Sequence, residues 1–548
     1  MRAPFLLLAL AMAWVLCPVA VADVSNPPGD ALPGQSLFRR GVLLSGEPVQ
    51  AHRENRSSVS GVEVACVNCH RRSGLGTVEG RIVVPPVDAS TLFHPATRRN
   101  PPHGGGEARE ADPRNQTAYD DALLARAIRT GVGSDGRTLS ALMPRYELDH
   151  ENMAALLAYL HGLGVAPVPG VEAETLHFAT IITSDADPVA ARAMLEVLEQ
   201  FFATRNASYR GDSPPLQSAR RIHFRVLRQW RLHVWRLTGP SSTWERQLEA
   251  HLEAEPVYAV ISGIGRTTWD PVHRFCEHQS IPCLLPNVDL PTVAEKDFYP
   301  IYFSQGVLLE ARMLVYRIGA AVGRPRIVQV YRTHDIGAAA AAALREAAPP
   351  DMAVEDRALP ETAGIEQLAA AARVAAGDTL VLWLRPDDLA SLPGRAPDQA
   401  VYLSGLMGGL DEAPLPAAWR NESDLTYPVE LPDKRRARMN YPLGWFAIHK
   451  IPVVAERIQT DTYIACTVLA EALGTMRDDF VRDYLVERIE SMVSTRLLNG
   501  YYPRLSLAPG QRFASKGGYF VHAFEKDGKS MVVADGPWTV PWGLPSPR

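Results

Sequence analysis

The chain has 548 residues, a formal charge of −5, and hydrophobic side chains at 46% of its positions. That balance excludes an intrinsically disordered chain and leaves room for three or four compact lobes. No basic run with interleaved aromatics is present, so nothing points to a nucleic-acid surface.

The first element is a leader. Met1-Arg2 precedes an apolar run from Phe5 to Leu16, then Pro18 and Ala20-Val21-Ala22. This order predicts a secretory signal peptide over 1–22, cleaved before Asp23. The run is short for a membrane span, and no later stretch approaches the ~18 apolar residues a span needs. A periplasmic protein with no stable membrane span after cleavage is expected. Trp14-Val15-Leu16 before Cys17 lacks the small residue of a lipid-attachment box. An uncleaved anchor stays open as the alternative.

Residues 23–163 form the first predicted domain, helices separated by long loops. A short helix at 35–44 carries Leu37, Phe38 and Val42 on one side. Cys66-Val67-Asn68-Cys69-His70 follows. Two thiols two residues apart with an imidazole next to them is the pattern of covalent haem c attachment. Each sulfur can add across a vinyl group, and His70 is then held beneath the iron as the proximal ligand. Pro85-Pro86 is placed to offer His70 a carbonyl for its second ring nitrogen. Asn100–Gly106 reads as a surface loop. A helix over 119–130 shows Leu123, Leu124, Ala127 and Ile128, and another starts at the N-cap Asp149, carries Met153, Leu156, Leu157 and Leu160, and stops at Gly162. Met143, stiffened by Pro144, is the expected sixth iron ligand. A neutral thioether favours reduced iron and suits electron transfer. His94, His103, His150 and Met153 are competing donors, although Met153 reads better as core.

Residues 164–175, which include Gly-Val-Ala-Pro-Val-Pro-Gly (164–170), read as a linker. From 176 to 548 strands alternate with helices. Strands are predicted at 176–183, 223–229, 232–237, 257–264, 282–285, 326–331, 379–384 and 400–404. Helices are predicted at 188–204, 272–277, 337–347 and 364–376. This alternation predicts parallel, doubly wound sheets. Cys276 and Cys283 could pair in an oxidising compartment, could join His273 and His278 on a metal, or could simply be buried. Cys466 lies in an apolar helical run and reads as core. No phosphate loop, G-x-S-x-G or H-E-x-x-H occurs, so an electron-transfer and ligand-binding protein is expected here, not an enzyme.

Two resemblances follow from these strings. Residues 30–163 resemble a class I c-type cytochrome, on Cys66, Cys69, His70, Met143 and the closing helix Leu-Leu-Ala-Tyr-Leu (156–160). The stretch from His70 to Met143, with Gly104-Gly105-Gly106 inside it, is longer than that pattern. Residues 176–525 resemble the type I periplasmic solute-binding proteins that serve branched-chain amino acid and amide transporters. The matching strings are Ala259-Val260-Ile261-Ser262-Gly263, Ile281-Pro282-Cys283-Leu284-Leu285-Pro286 and Leu505–Arg512. Together they imply a multidomain chain: an all-α cytochrome c domain with one covalent haem c, then an α/β two-lobed type I periplasmic-binding-protein domain. The ligand is expected between the lobes, at Ser262, Gly263, Thr267 and Asn287 of the first and Asp335 and Arg385 of the second. Ser262-Gly263 reads equally as a tight turn. Arg385-Pro386-Asp387 stands near the place where amino-acid binders keep a carboxylate, so an anionic or polar ligand is as plausible as a zwitterion. The function implied is a periplasmic monohaem electron carrier, partnered by a dehydrogenase or oxidase chain and able to bind a small molecule. A transport receptor with an accessory haem and a haem-based sensor are the alternatives.

Overall fold

The structure, a computed structural model, describes residues 33–53, 57–94, 117–211, 228–294, 296–320, 325–394, 399–420, 422–476, 479–495, 500–526 and 529–541. The predicted signal peptide, His103 and Gly104–Gly106 lie outside them.

The N-terminal part has its own core. Helix Asp121–Thr130 is capped by Asp120, whose carboxylate accepts from Leu123 N, and it stops at Gly131 in a left-handed turn. Asp149 caps helix His150–Gly162 in the same way through Asn152 N. Leu124, Ile128, Met153, Leu156, Leu157 and Leu160 are buried with Leu37 and Phe38 of helix Pro33–Arg40. Helix Pro33–Arg40 crosses helix His150–Gly162 closely because residue 34 is glycine. A Cβ there would lie 2.0 Å from the Ala155 carbonyl oxygen.

This part is not all helix. β1 (Gln50–His52) pairs antiparallel with β2 (Ser58–Ser60), and β3 (Thr77–Glu79) forms a hairpin with β4 (Ile82–Val84). β5 (Arg145–Glu147) adds to the other side of β1. The all-α expectation is corrected accordingly. Long connections must satisfy their backbone groups, and these loops do so by pairing with one another.

The remainder is built on two sheets. The first lobe uses β6 (Thr175–Ile182), β7 (Gln229–Arg236), β8 (Ala259–Ile261), β9 (Cys283–Leu284) and β10 (Pro300–Ile301). They are all parallel, in the order β10-β9-β8-β6-β7. The second lobe uses β11 (Ile327–Arg332), β12 (Val354–Leu359), β13 (Thr379–Trp383), β14 (Val401–Ser404) and β15 (Ser423–Tyr427), parallel in the order β12-β11-β13-β14-β15. β16 (Tyr519–Lys526) and β17 (Lys529–Ala534) extend that sheet antiparallel. In each lobe the chain's first strand sits inside its second, the doubly wound order whose crevice opens at the strands' carboxyl ends. The predicted strand at 232–237 is part of β7, and residues 223–227 of the strand predicted at 223–229 lie outside the described residues. The predicted helix at 364–376 ends at Ala371.

The chain crosses between lobes three times: after β10, after β15 and before β16. Helix Glu456–Thr475 returns to pack on helix Pro188–Gly211 of the first lobe. The third crossing pairs with the first, through Tyr302 N to the Arg512 carbonyl and Ala514 N to the Tyr302 carbonyl.

Candidate functional site

Cys66, Cys69 and His70 share one helical turn. Cys69 N and His70 N both donate to the Cys66 carbonyl, at 3.2 and 2.9 Å. Both cysteines are free thiols. His70 Nδ1 donates to the Pro85 carbonyl at 3.0 Å, which fixes the tautomer and leaves Nε2 as the ligating nitrogen. Burial lowers the His70 pKa, and the Pro85 contact partly opposes it, so the imidazole is neutral as a ligand must be. Met143 lies in the loop before β5. Arg145 holds that loop by donating to the Met143 carbonyl at 2.5 Å. Tyr146 Oη donates to the Val64 carbonyl at 2.6 Å, and the same phenol lies against the Cys66 thiol. The Met143 loop is therefore fastened beside the thiol turn. His150 is exposed, and Met153 is buried in the core.

Residues 62–164 match the family model for cytochrome c. This segment is a cytochrome c domain. Its two free thiols, neutral imidazole and soft sulfur fit covalent haem, which supplies one-electron chemistry when bound. The α/β part is similar to solved solute receptors. One is a fatty acid ABC transporter substrate-binding protein from Thermomonospora curvata, at 17% identity over 68% of this chain and 94% of that one, with a TM-score of 0.48. Another is a branched-chain amino acid ABC transporter protein from Thermus thermophilus with bound valine, at 11% identity over 67% and 97%, with a TM-score of 0.49. A leucine-binding protein from Thermotoga maritima matches at 12% over 66% and 98%, with a TM-score of 0.46. Comparison with curated proteins gives no match. No helix among the described residues is long and apolar enough to cross a membrane.

The cytochrome c domain is fastened to the first lobe on its haem-turn side. Helix Arg482–Val493 presents Asp483, Glu487 and Glu490 at i, i+4 and i+7, one stripe. Arg71 donates to Glu490 at 2.6 Å, Arg39 to Asp483 at 3.2 Å, and Ser73 N and Oγ to Glu487 at 3.0 and 2.6 Å. Arg72 stacks over Phe298 at 4.3 Å and lies 3.6 Å from Asp483. Glu490 is also paired with Arg512 of the third crossing. Residues 71–73, directly after His70, are thus tied to the hinge of the α/β part. The linker carries a further tie, since Arg482 donates to the Pro169 carbonyl at 3.3 Å.

A small cavity opens in the first lobe, beside the crossings that lead to the second. Asn287, Asp289, Ser304, Arg457, Asp461 and Tyr502 line it. Arg457 neutralises Asp289 at 2.9 Å. Of the six ligand positions inferred from sequence, Asn287 lines the cavity. Its Nδ2 donates to Ser262 Oγ at 2.9 Å, so Ser262 stands directly behind it. Ser262 and Gly263 both have positive φ, which makes them a tight turn after β8. Thr267 donates to Asp185 instead. Asp335 and Arg385 form a bidentate pair in the second lobe with both contacts at 2.7 Å, and Arg385 feels the charges of Asp289 and Arg457. Asp289, Arg457, Asp461 and Tyr502 escape a reading by motif. Arg457 and Asp461 announce themselves only as charges inside a helix that must be buried.

Cys276 and Cys283 are buried free thiols, and His273 is committed to Tyr302 and Asp297. These residues do not gather with His278 as a metal group. The triad Asp424, His522 and Asp535 does gather, but Arg317 pairs with Asp535 and serves as its cation.

Proposed function

We propose that this protein is an exported monohaem electron carrier with a fused solute-binding domain. Cys66 and Cys69 hold the haem, His70 is the proximal ligand and Met143 the distal one. The observation that carries this reading is the thiol turn with His70 already oriented by Pro85. Six-coordinate His/Met iron exchanges electrons with a redox partner and does not activate substrate. The chain acts as a carrier and receptor, not an enzyme, and works in the periplasm. The α/β part takes a small molecule between its lobes. A receptor with a haem-reported ligand state is the second reading, favoured by the bonds from residues 71–73 to the hinge.

The test is a redox titration followed by visible spectrum, on protein from a host that matures haem c. A single one-electron wave with a low-spin spectrum in both states is expected. A high-spin iron that binds carbon monoxide at once would favour a sensor and overturn the carrier reading.

A further inference from the structure

Two acceptors in the first-lobe cavity have no donor. Asp461 Oδ1 and Asn287 Oδ1 are buried and unpartnered, in residues 2% and 7% exposed. A buried acceptor left unpaired costs about 1–3 kcal/mol, more when it is charged. The Asn287 amide cannot turn to relieve this, because its Nδ2 is engaged with Ser262 Oγ, the Gly263 carbonyl and Thr462 Oγ1. The charges of the lining do not cancel either. Arg457 lies 2.9 Å from Asp289 and also acts on Asp461, so with Asp461 ionised the lining sets two carboxylates against one guanidinium.

We infer that this cavity takes the ammonium group of a small amine, held by Asp461 and Asn287. The ligand class rests on the reading of the α/β part as a solute-binding domain. The acceptors belong to the first lobe and the returning helix Glu456–Thr475, not to the second-lobe pair Asp335–Arg385. A primary ammonium has three N–H donors, and the two free oxygens take two of them. A metal ion such as calcium asks for six or more oxygens, more than this lining leaves free. The space open at the centre is about 10 Å3, room for one water-sized group. A headgroup fits, and the body of a larger amine has to lie outside this space. The groups facing Asp461 are Arg457, Asp289 and Tyr502. Burial holds its carboxyl up at about 7, so the charged form that attracts a cation grows as pH rises through that value.

Calorimetric titration of the full haem-loaded chain with methylammonium chloride tests this. Saturable binding is expected at pH 8, weakened at least tenfold at pH 5. Tetramethylammonium, a cation with no N–H, is expected to bind at least tenfold more weakly, and potassium is expected not to compete. Asp461→Asn should lose methylammonium binding while its haem spectrum and melting temperature stay near those of the parent. Absence of saturable methylammonium binding overturns the inference, as does equal binding by tetramethylammonium or potassium. Should Asp461→Asn fail to fold, the comparison of the cations still decides. Saturable binding of acetate or a neutral amide, with none of methylammonium, would overturn the ammonium assignment and leave the solute-binding reading standing. If no solute binds at all, both fall.

Discussion

At the scale of single residues, the haem turn depends on side chains that are already placed. His70 needs no rearrangement to present Nε2, because Pro85 holds the opposite nitrogen. In the ligation we propose, Met143 is the residue on which the potential rests. Met143→Ala should lower the midpoint by more than ~59 mV, a tenfold change for one electron. It should also open the iron to added imidazole. A redox titration of the variant checks this, and an unchanged midpoint assigns the distal position to another donor. This site was largely legible in the sequence, because the attachment chemistry demands adjacent residues. The cavity was not. Asp461 sits in Thr460-Asp461-Thr462-Tyr463-Ile464, at the mouth of an apolar helical run. Only the fold shows that the cavity it faces is shared with Asn287, 174 positions earlier.

At the scale of elements, helix Arg482–Val493 joins the two halves of the molecule. Its carboxylate stripe can be read from Asp483, Glu487 and Glu490, but the partners cannot. They lie more than 400 positions away, and pairing at that distance leaves no local signal. Glu490 is nearly inaccessible and answers both Arg71 and Arg512. Glu490→Gln leaves two guanidinium groups short of a counter-charge inside an interface. It should cost about 3 kcal/mol, the usual scale for breaking a buried pair. Arg39→Met removes a more exposed partner of Asp483 and should cost under about 1 kcal/mol. Chemical denaturation followed at the haem band and by far-UV dichroism measures both. In Glu490→Gln the two signals should separate into two transitions as the domains uncouple. The doubly wound lobes were legible for a different reason. Central parallel strands are apolar runs between helices, and Leu380, Val381, Leu382 and Trp383 of β13 are fully buried. The short strands of the cytochrome c domain, three residues each, carry too little pattern to be read.

At the scale of the whole molecule, three buried carboxyls set an unusual pH response. Burial pushes Glu310, Asp461 and Glu487 each up to about 7. Between the ordinary carboxylate range and pH 7 the folded chain keeps protons that the unfolded chain has released. These groups therefore make stability fall as pH rises from about 5 to about 8. Glu487→Gln should flatten that fall. Melting temperatures of parent and variant at pH 5, 6, 7 and 8 supply the comparison, and identical slopes would show that Glu487 carries no such proton. The larger arrangement sets the Cys66–His70 turn on one side of helix Arg482–Val493 and the two α/β lobes on the other. Everything in it presupposes that the turn at 66–70 is loaded. The most direct measurement is the intact mass of the denatured protein, purified from a host that matures haem c. A mass increase equal to one haem, retained through acid–solvent extraction and abolished in Cys66→Ala/Cys69→Ala, is the predicted result. A polypeptide mass alone, or a haem that extracts into the solvent, would contradict the account.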